Sequence, residues 1–358
     1  MSESVIFDWN PLFSQTTASE DIQRDRTWMV PLEDYSLILV RGPESEKFLQ
    51  GQCTCDFSRL TINTDKAKLS DSEQQVFLHG AHCNHKGRML CSFVAAKINH
   101  DTIALRLHQS VEQTALVALK KYATFSKVTL TAANDLGIFG VCGPEAEALC
   151  ASLLSVNSEK LPSENRAAQF DGATVLCHSI KQYEVWLTQE KLHDMVPSLN
   201  KNSAIENLEV QKTSNLWRLQ NIARGIGEVT SNITESLIPQ EINFQLVDGI
   251  SFSKGCYTGQ EVVARMHYRA HLKKHMYRGI LPVTTPPNVG ASLFESEEVA
   301  QSDAPKIRGS IVTVARSDEH HCEFLALCDD NLINLPRSVV EGNLSAEIQW
   351  LTLPYAIS

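Results

Sequence analysis

The chain has 358 residues, with 32 Lys and Arg against 42 Asp and Glu, a formal net charge of −10. Two or three domains are expected at this length, and the acidic balance argues against a protein that coats nucleic acid through charge alone. Hydrophobic residues at 43% and charged residues at 21% are ordinary for a globular protein, and no run reaches the roughly 18–20 apolar residues that a membrane span needs. The opening MSESVIFDWNPLFSQ has acids where a signal peptide carries a basic region, so no secretion signal is expected. Ten cysteines spread over such a chain fit free thiols in a reducing cytoplasm better than a disulfide scaffold.

Residues 1–30 are polar and aperiodic and read as a tail or a surface strap. Residues 35–40 read as a strand, after which Gly42-Pro43-Glu44 opens a helix to Gln50. Antiparallel strands are expected at 76–78, 88–96 and 102–107, with a turn at His85-Lys86-Gly87, then a helix at 111–122 and a strand at 127–131. The strand, Gly-Pro-Glu, helix device returns at 137–154, so that LVRGPESEKFL and GVCGPEAEALC echo each other. The echo points to two related α+β units made by duplication. Residues 173–178 and 183–188 read as a hairpin, 189–199 as a helix, and 216–224, which contains Trp217, as another. Residues 155–166 and 198–215 read as polar connectors. Beyond Tyr277 the texture changes to short strands at 277–281, 306–315, 322–327 and 344–351, separated by turns, as in a small barrel or sandwich. Strands and helices mix without strict alternation, so the class is α+β.

One stretch stands apart chemically. Between Lys254 and Arg278 there are six Lys and Arg against the single acid Glu261, a balance of six minus one, or +5, with His267, His271 and His275 interleaved. Such a contrast in an acidic chain points to an anionic partner. At its head, Gly255 and Gly259 bracket Cys256, Tyr257 and Thr258, so the backbone can turn tightly there. Thr258 is expected to cap a helix running from Gln260, with Glu261 at the capping-box position. A thiol beside a helix start, two residues from Lys254, should hold its thiolate more readily than a free cysteine. A tight turn with the cysteine as a small core filler is the competing reading.

Other clusters carry weaker chemistry. Cys53-Thr54-Cys55 has one residue between its thiols rather than the two to four of a zinc knuckle. His79, His82, Cys83 and His85 read as a polar strand end, and no metal site is assigned. Fingerprints for dinucleotides, phosphate loops and nucleophile elbows do not occur. By pattern alone Tyr35 and Trp217 read as core aromatics.

The octapeptide Lys254-Gly255-Cys256-Tyr257-Thr258-Gly259-Gln260-Glu261 resembles the signature of the YgfZ-type folate-binding proteins, relatives of the glycine-cleavage aminomethyltransferase. Further segments match in order: SEKFLQGQ from Ser45, AHCN from Ala81 with Lys86-Gly87, LKKYA from Leu119, FSKV from Phe125, LIPQ from Leu237 and LPY from Leu353. The resemblance covers roughly residues 32–356. It implies a three-domain ring, with two interleaved α+β domains over 31–275 and a C-terminal β-barrel over 276–358. It also implies tetrahydrofolate or a derivative as cofactor. Cys256 falls on the family's reactive thiol, with Lys254 beside it. Tyr35, Trp217, Gln240, Tyr257, Arg265 and Arg269 fall on the folate-binding side, where Arg265, Arg269 or Lys273 suits the glutamate tail of folate. The implied function is a cytoplasmic, folate-binding accessory protein for iron–sulfur enzymes, including the methylthiotransferases that modify tRNA. Direct tRNA binding and membrane association are not expected. The alternative is a folate-dependent one-carbon transferase, and whether the chain is an enzyme in its own right is left open.

At three places the chain departs from the wider pattern. Tyr35 stands where a tryptophan is usual, and a phenol ring can still stack. Leu90-Cys91 replaces the acidic pair of the aminomethyltransferases, leaving no obvious acid for that transfer. Ala223 replaces a pterin-gripping glutamate, for which Glu228 or Glu241 is the nearest substitute.

Overall fold

The computed structural model describes residues 7–14, 18–19, 25–60, 74–201, 208–269, 272–302 and 304–357. Its chain divides into two compact units that alternate along the sequence: 1–49, 57–78 and 94–214 in the first, 50–56, 79–93 and 215–358 in the second.

The first unit holds an eight-stranded sheet in the order Ala18–Ser19, Leu208–Gln211, Thr27–Pro31, Leu136–Cys142, Gln182–Thr188, Ala173–Ser179, Arg166–Phe170, Gln75–Val76. Helices Ala146–Leu154 and Gln189–Lys201 supply the apolar face that covers it. Leu149, Leu153, Leu192 and Val196 pack with Met29, Phe139, Val175, Val185 and Val210 in one buried core. A second set of strands in this unit pairs Tyr35–Arg41 with Thr102–His108 on one side and Thr129–Ala132 on the other.

Thr27–Pro31 corrects the reading of a surface strap. Every residue of this strand is buried, and it lies between Leu208–Gln211 and Leu136–Cys142. A strand covered on both faces loses the polar alternation by which strands are recognised in sequence. Strand Leu208–Gln211 likewise falls inside a stretch read as a connector. The echo is structural. Gly42 and Gly143 both end a strand with φ of +131° and +125°, where a Cβ would strike the backbone at Lys127 and Arg26 respectively. Each also donates its N–H to a neighbouring loop carbonyl, Asp101 for Gly42 and Lys181 for Gly143.

Buried charge in this unit is concentrated at Glu184, which has no exposed surface. It accepts hydrogen bonds from Arg106 Nε at 3.0 Å and Trp186 Nε1 at 2.6 Å, and its other oxygen lies 2.9 Å from His178 Nε2. Burial alone would raise its pKa, but Arg106, His178 and Trp186 overcome that and hold the carboxyl at about 2.

The second unit carries a six-stranded antiparallel sheet, ordered Ser338–Val340, Ser292–Glu295, Gly309–Arg316, Cys322–Asp329, Lys274–Leu281, Gln349–Leu351. Leu281, Leu293, Ile311, Phe324, Ala326 and Val340 fill its core. The strands expected at 277–281, 306–315 and 322–327 lie in this sheet, with two short strands, Ser292–Glu295 and Ser338–Val340, that turn-rich composition conceals, while helix Ser296–Gln301 departs from the all-β expectation. Helix Asn215–Ala223 is pinned to strand Gly309–Arg316, because the Asn215 amide bonds both the N–H and the carbonyl of Arg316. Near the C-terminus the Tyr355 hydroxyl donates to Gly225 O at 2.6 Å. Gly225 has φ +67°, and a Cβ there would meet the same phenol. That fit gives a physical reason for the Leu-Pro-Tyr ending.

Candidate functional site

The loop bearing Cys256 is held from below by the segment 50–56. Thr54 has no exposed surface. Its hydroxyl donates to Gly249 O at 2.6 Å and accepts from Ala81 N at 2.9 Å, while its carbonyl accepts from Ser251 N at 2.9 Å. Lys254 Nζ donates to Cys53 O at 2.8 Å and Cys55 O at 2.6 Å, and lies 5.2 Å from the centre of the buried Tyr257 ring. Burial lowers the lysine pKa, an effect opposed by the nearby thiols and Asp56. The lysine read as the thiol's cationic neighbour thus spends hydrogens on the Cys53–Cys55 backbone. It acts as a strut between two segments far apart in sequence.

Above these anchors the thiol stands open. Cys256 is exposed, and the other nine cysteines are buried. A Cβ added at Gly255 would meet nothing within 4 Å. Burial pushes the Cys53 thiol up, and the Cys55 and Cys91 thiols up to about 12, so they stay protonated and inert at neutral pH. The alternative reading of Cys256 as a buried core filler does not hold, since it is the exposed one of the ten.

The second glycine has a packing reason. Gly259 has φ +84°, and a Cβ there would approach Asn84 O at 2.6 Å and Gly87 Cα at 3.1 Å. Gly87 itself has φ +71°, and its Cβ would strike Val262. The Lys86-Gly87 turn and the start of helix Gln260–Arg269 are seated against each other through two residues without side chains. Thr258 does not cap this helix as expected. Its hydroxyl is directed at Gln52 Oε1, 3.1 Å away, and the helix begins two residues later.

Gln240 Nε2 donates to Val263 O at 2.6 Å, and Gln240 Oε1 is buried with no hydrogen-bond partner among the described residues. Arg265 and Arg269 are exposed on helix Gln260–Arg269, and no ion pair involves either among the described residues. Trp217 is fully buried in helix Asn215–Ala223 of the second unit. Tyr35 is buried in the first unit, with the Arg106 guanidinium 4.6 Å from its ring centre and His108 edge-on at 5.9 Å. His271 lies outside the described residues. Leu90 and Cys91, in place of the acidic pair, are both buried. Glu241 is committed elsewhere, accepting from Ile238 N at 2.8 Å and pairing with Arg88 at 3.3 Å, so it is a poor substitute for the missing glutamate. No cluster of three or more His, Cys, Asp or Glu among the described residues is arranged to hold a metal.

Thr54 and Gln52 were missed as site residues by sequence reasoning. The close Cys-Thr-Cys spacing drew attention to the sulfurs, while the buried threonine between them makes the contacts.

The fold resembles that of the glycine cleavage aminomethyltransferase T from Bartonella henselae, with a TM-score of 0.70 over 92% of this chain and 86% of that one, at 14% identity. No protein-family model matches the chain. Among curated proteins, it is 31% identical over 331 residues to the tRNA-modifying protein YgfZ of Sodalis glossinidius (strain morsitans), covering 92% of this chain and 93% of that protein. It is 33% identical to the protein of the same name from Shigella boydii serotype 4 (strain Sb227) over 252 residues, 70% of each. With that similarity covering 92% of this chain and 93% of the Sodalis protein, the chain belongs to the YgfZ family of tRNA-modifying proteins.

Proposed function

We propose that this chain is a folate-binding accessory protein that supports iron–sulfur enzymes, among them those that modify tRNA, and that Cys256 is its reactive thiol. The observation that carries this reading is the contrast between one exposed cysteine on a braced loop and nine buried ones. A thiol that only filled space would not need Thr54, Lys254, Gly259 and Gly87 to hold its backbone in the open. The chain's own part in the chemistry is to fix that loop and keep the sulfur accessible to a partner.

Folate presents N–H donors along its pterin edge. Gln240 Oε1, a buried acceptor without a partner among the described residues, fits such a donor, and with it the chain would orient the ring system. Bound folate would supply a one-carbon carrier. The buried Leu90 and Cys91 offer no acid for passing that carbon to an amine, which favours the accessory role over a stand-alone transferase.

The test is complementation. In a bacterial strain lacking its own YgfZ, the wild-type chain should restore methylthio-modified nucleosides in tRNA, measured by mass spectrometry. Cys256→Ala should fail to restore them while melting at the wild-type temperature. Full restoration by Cys256→Ala would overturn the assignment of the thiol. Quenching of tryptophan emission by tetrahydrofolate, with Trp217→Phe as control, tests the folate half separately.

A further inference from the structure

Helix Gln260–Arg269 carries an aromatic group that neither the thiol nor the folate reading uses. The Phe252 ring, on the loop before Cys256, is stacked on His267 with centroids 3.7 Å apart and planes 13° apart. Tyr268 meets both rings edge-on, at 4.7 Å from His267 and 6.3 Å from Phe252, and is 68% exposed. Arg265 lies three residues before Tyr268 and four before Arg269, so the helical repeat sets Arg265 beside each of them, while Tyr268 and Arg269 are turned about 100° from one another. Both guanidinium groups are exposed and make no ion pair among the described residues. A braced aromatic step beside two exposed cations, in a chain of net charge −10, offers a flat ring and positive charge to one partner.

We propose that this face is a contact surface for single-stranded RNA, with a nucleobase on the Tyr268 step and phosphates on Arg265 and Arg269. Charge complementarity alone would also suit an acidic polypeptide or the glutamate tail of folate. The rings decide against the polypeptide, and unlabelled tetrahydrofolate that competes as effectively as unlabelled RNA would overturn the proposal in favour of folate. Every base has a flat face that stacks on an aromatic side chain, whereas a run of carboxylates gains nothing from an exposed tyrosine braced by a second stacked pair. Recognition of unpaired bases in this way is the usual mode for RNA loops and ends. The choice of RNA over DNA rests on the tRNA-related function proposed above, and it reverses the expectation from sequence that this chain does not bind tRNA directly. Composition shows the positive charge of this stretch but not its ring step, because Phe252 lies fifteen and sixteen residues before His267 and Tyr268 and meets them only once the helix folds back on the Cys256 loop.

The experiment is fluorescence anisotropy of the full chain with a fluorescein-labelled single-stranded RNA of mixed sequence, titrated at several salt concentrations. Tyr268→Ala should weaken binding roughly 5- to 150-fold, the range for loss of one stacked base, with an unchanged salt slope. Arg265→Gln with Arg269→Gln should reduce the slope of log affinity against log salt by about 1.4, two phosphate contacts at about 0.7 each. Cys256→Ala should bind like the wild type, so failure of the thiol assignment would leave this result standing, and the converse. Absence of binding at about 50 mM salt, or wild-type binding by Tyr268→Ala, would overturn the proposal. Competition by poly-glutamate as effective as by unlabelled RNA would assign the face to an acidic chain instead. Equal affinity for the same sequence in DNA would overturn the commitment to RNA.

Discussion

Thr54 illustrates how a single hydroxyl shapes a site at a distance. It sits between a loop carbonyl at Gly249 and a strand N–H at Ala81, with no water-exposed surface of its own. Thr54→Val keeps the shape and removes both bonds, leaving a donor and an acceptor buried without those partners, at about 1–3 kcal/mol each. The expected outcome is a lower melting temperature together with faster hydrogen exchange at residues 249–256, read by mass spectrometry; unchanged exchange would show that the loop does not depend on the threonine. Thiol titration follows the same burial logic. The native protein should react with a single equivalent of 5,5′-dithiobis(nitrobenzoate), none after Cys256→Ser, and all remaining cysteines only once unfolded. Glu184 sets a pH limit. Its carboxyl is held at about 2, below its ordinary value of 4.5, so the stabilisation it contributes is present above about 4.5 and is lost as pH falls toward 2. Glu184→Gln leaves Arg106 buried opposite a neutral group, so an acid melt should find the variant less stable at pH 7 by about 3–5 kcal/mol. The gap to wild type should narrow as pH falls below about 4.5, and a constant gap would place the effect elsewhere.

At the scale of elements, what was legible in the sequence was local. Tyr35–Arg41, Leu136–Cys142, the 173–188 hairpin and helix Ala146–Leu154 all carry their own periodicity and punctuation. The family octapeptide likewise located Cys256, the exposed thiol, and the helix after it. What escaped was set by partners far away. Thr27–Pro31 is polar-flanked and short, and only its neighbours in the sheet make it an interior strand. The role of Lys254 is decided by carbonyls some two hundred positions earlier, and no spacing rule near Cys256 could reveal them. The paired glycines show the same limit. Gly259 looks like turn punctuation, yet its fit against Gly87 is what a substitution would break. Gly259→Ala adds a methyl against Asn84 O at a positive φ. It should therefore destabilise the protein and disturb the start of helix Gln260–Arg269, visible as loss of protection at 260–263. Gly255→Ala meets open space and should leave both untouched.

At the scale of the whole chain, the two units cannot be cut apart at any single peptide bond, because each takes its residues from several stretches. The consequence is sharpest for the second unit. Its long C-terminal part, 215–358, contains Cys256, Lys254, Gln240 and the entire six-stranded sheet. It lacks the stretches 50–56 and 79–93, and with them Thr54, the two carbonyls that hold Lys254, the Gly87 turn that seats the helix after Cys256, and Arg88, the partner of Glu241. Expressed alone, residues 215–358 should keep sheet-like far-ultraviolet dichroism from strands that pair among themselves. Hydrogen exchange over 249–269 should nonetheless be close to that of an unfolded peptide, since the contacts that order this loop and helix have been removed. Protection across 249–269 equal to that of the full chain would mean that the Cys256 loop is ordered by its own sequence, and that the braces described here are dispensable. Adding the 50–56 and 79–93 segments as peptides should not restore protection at micromolar concentration, because the chain presents them at an effective concentration that free peptides do not reach.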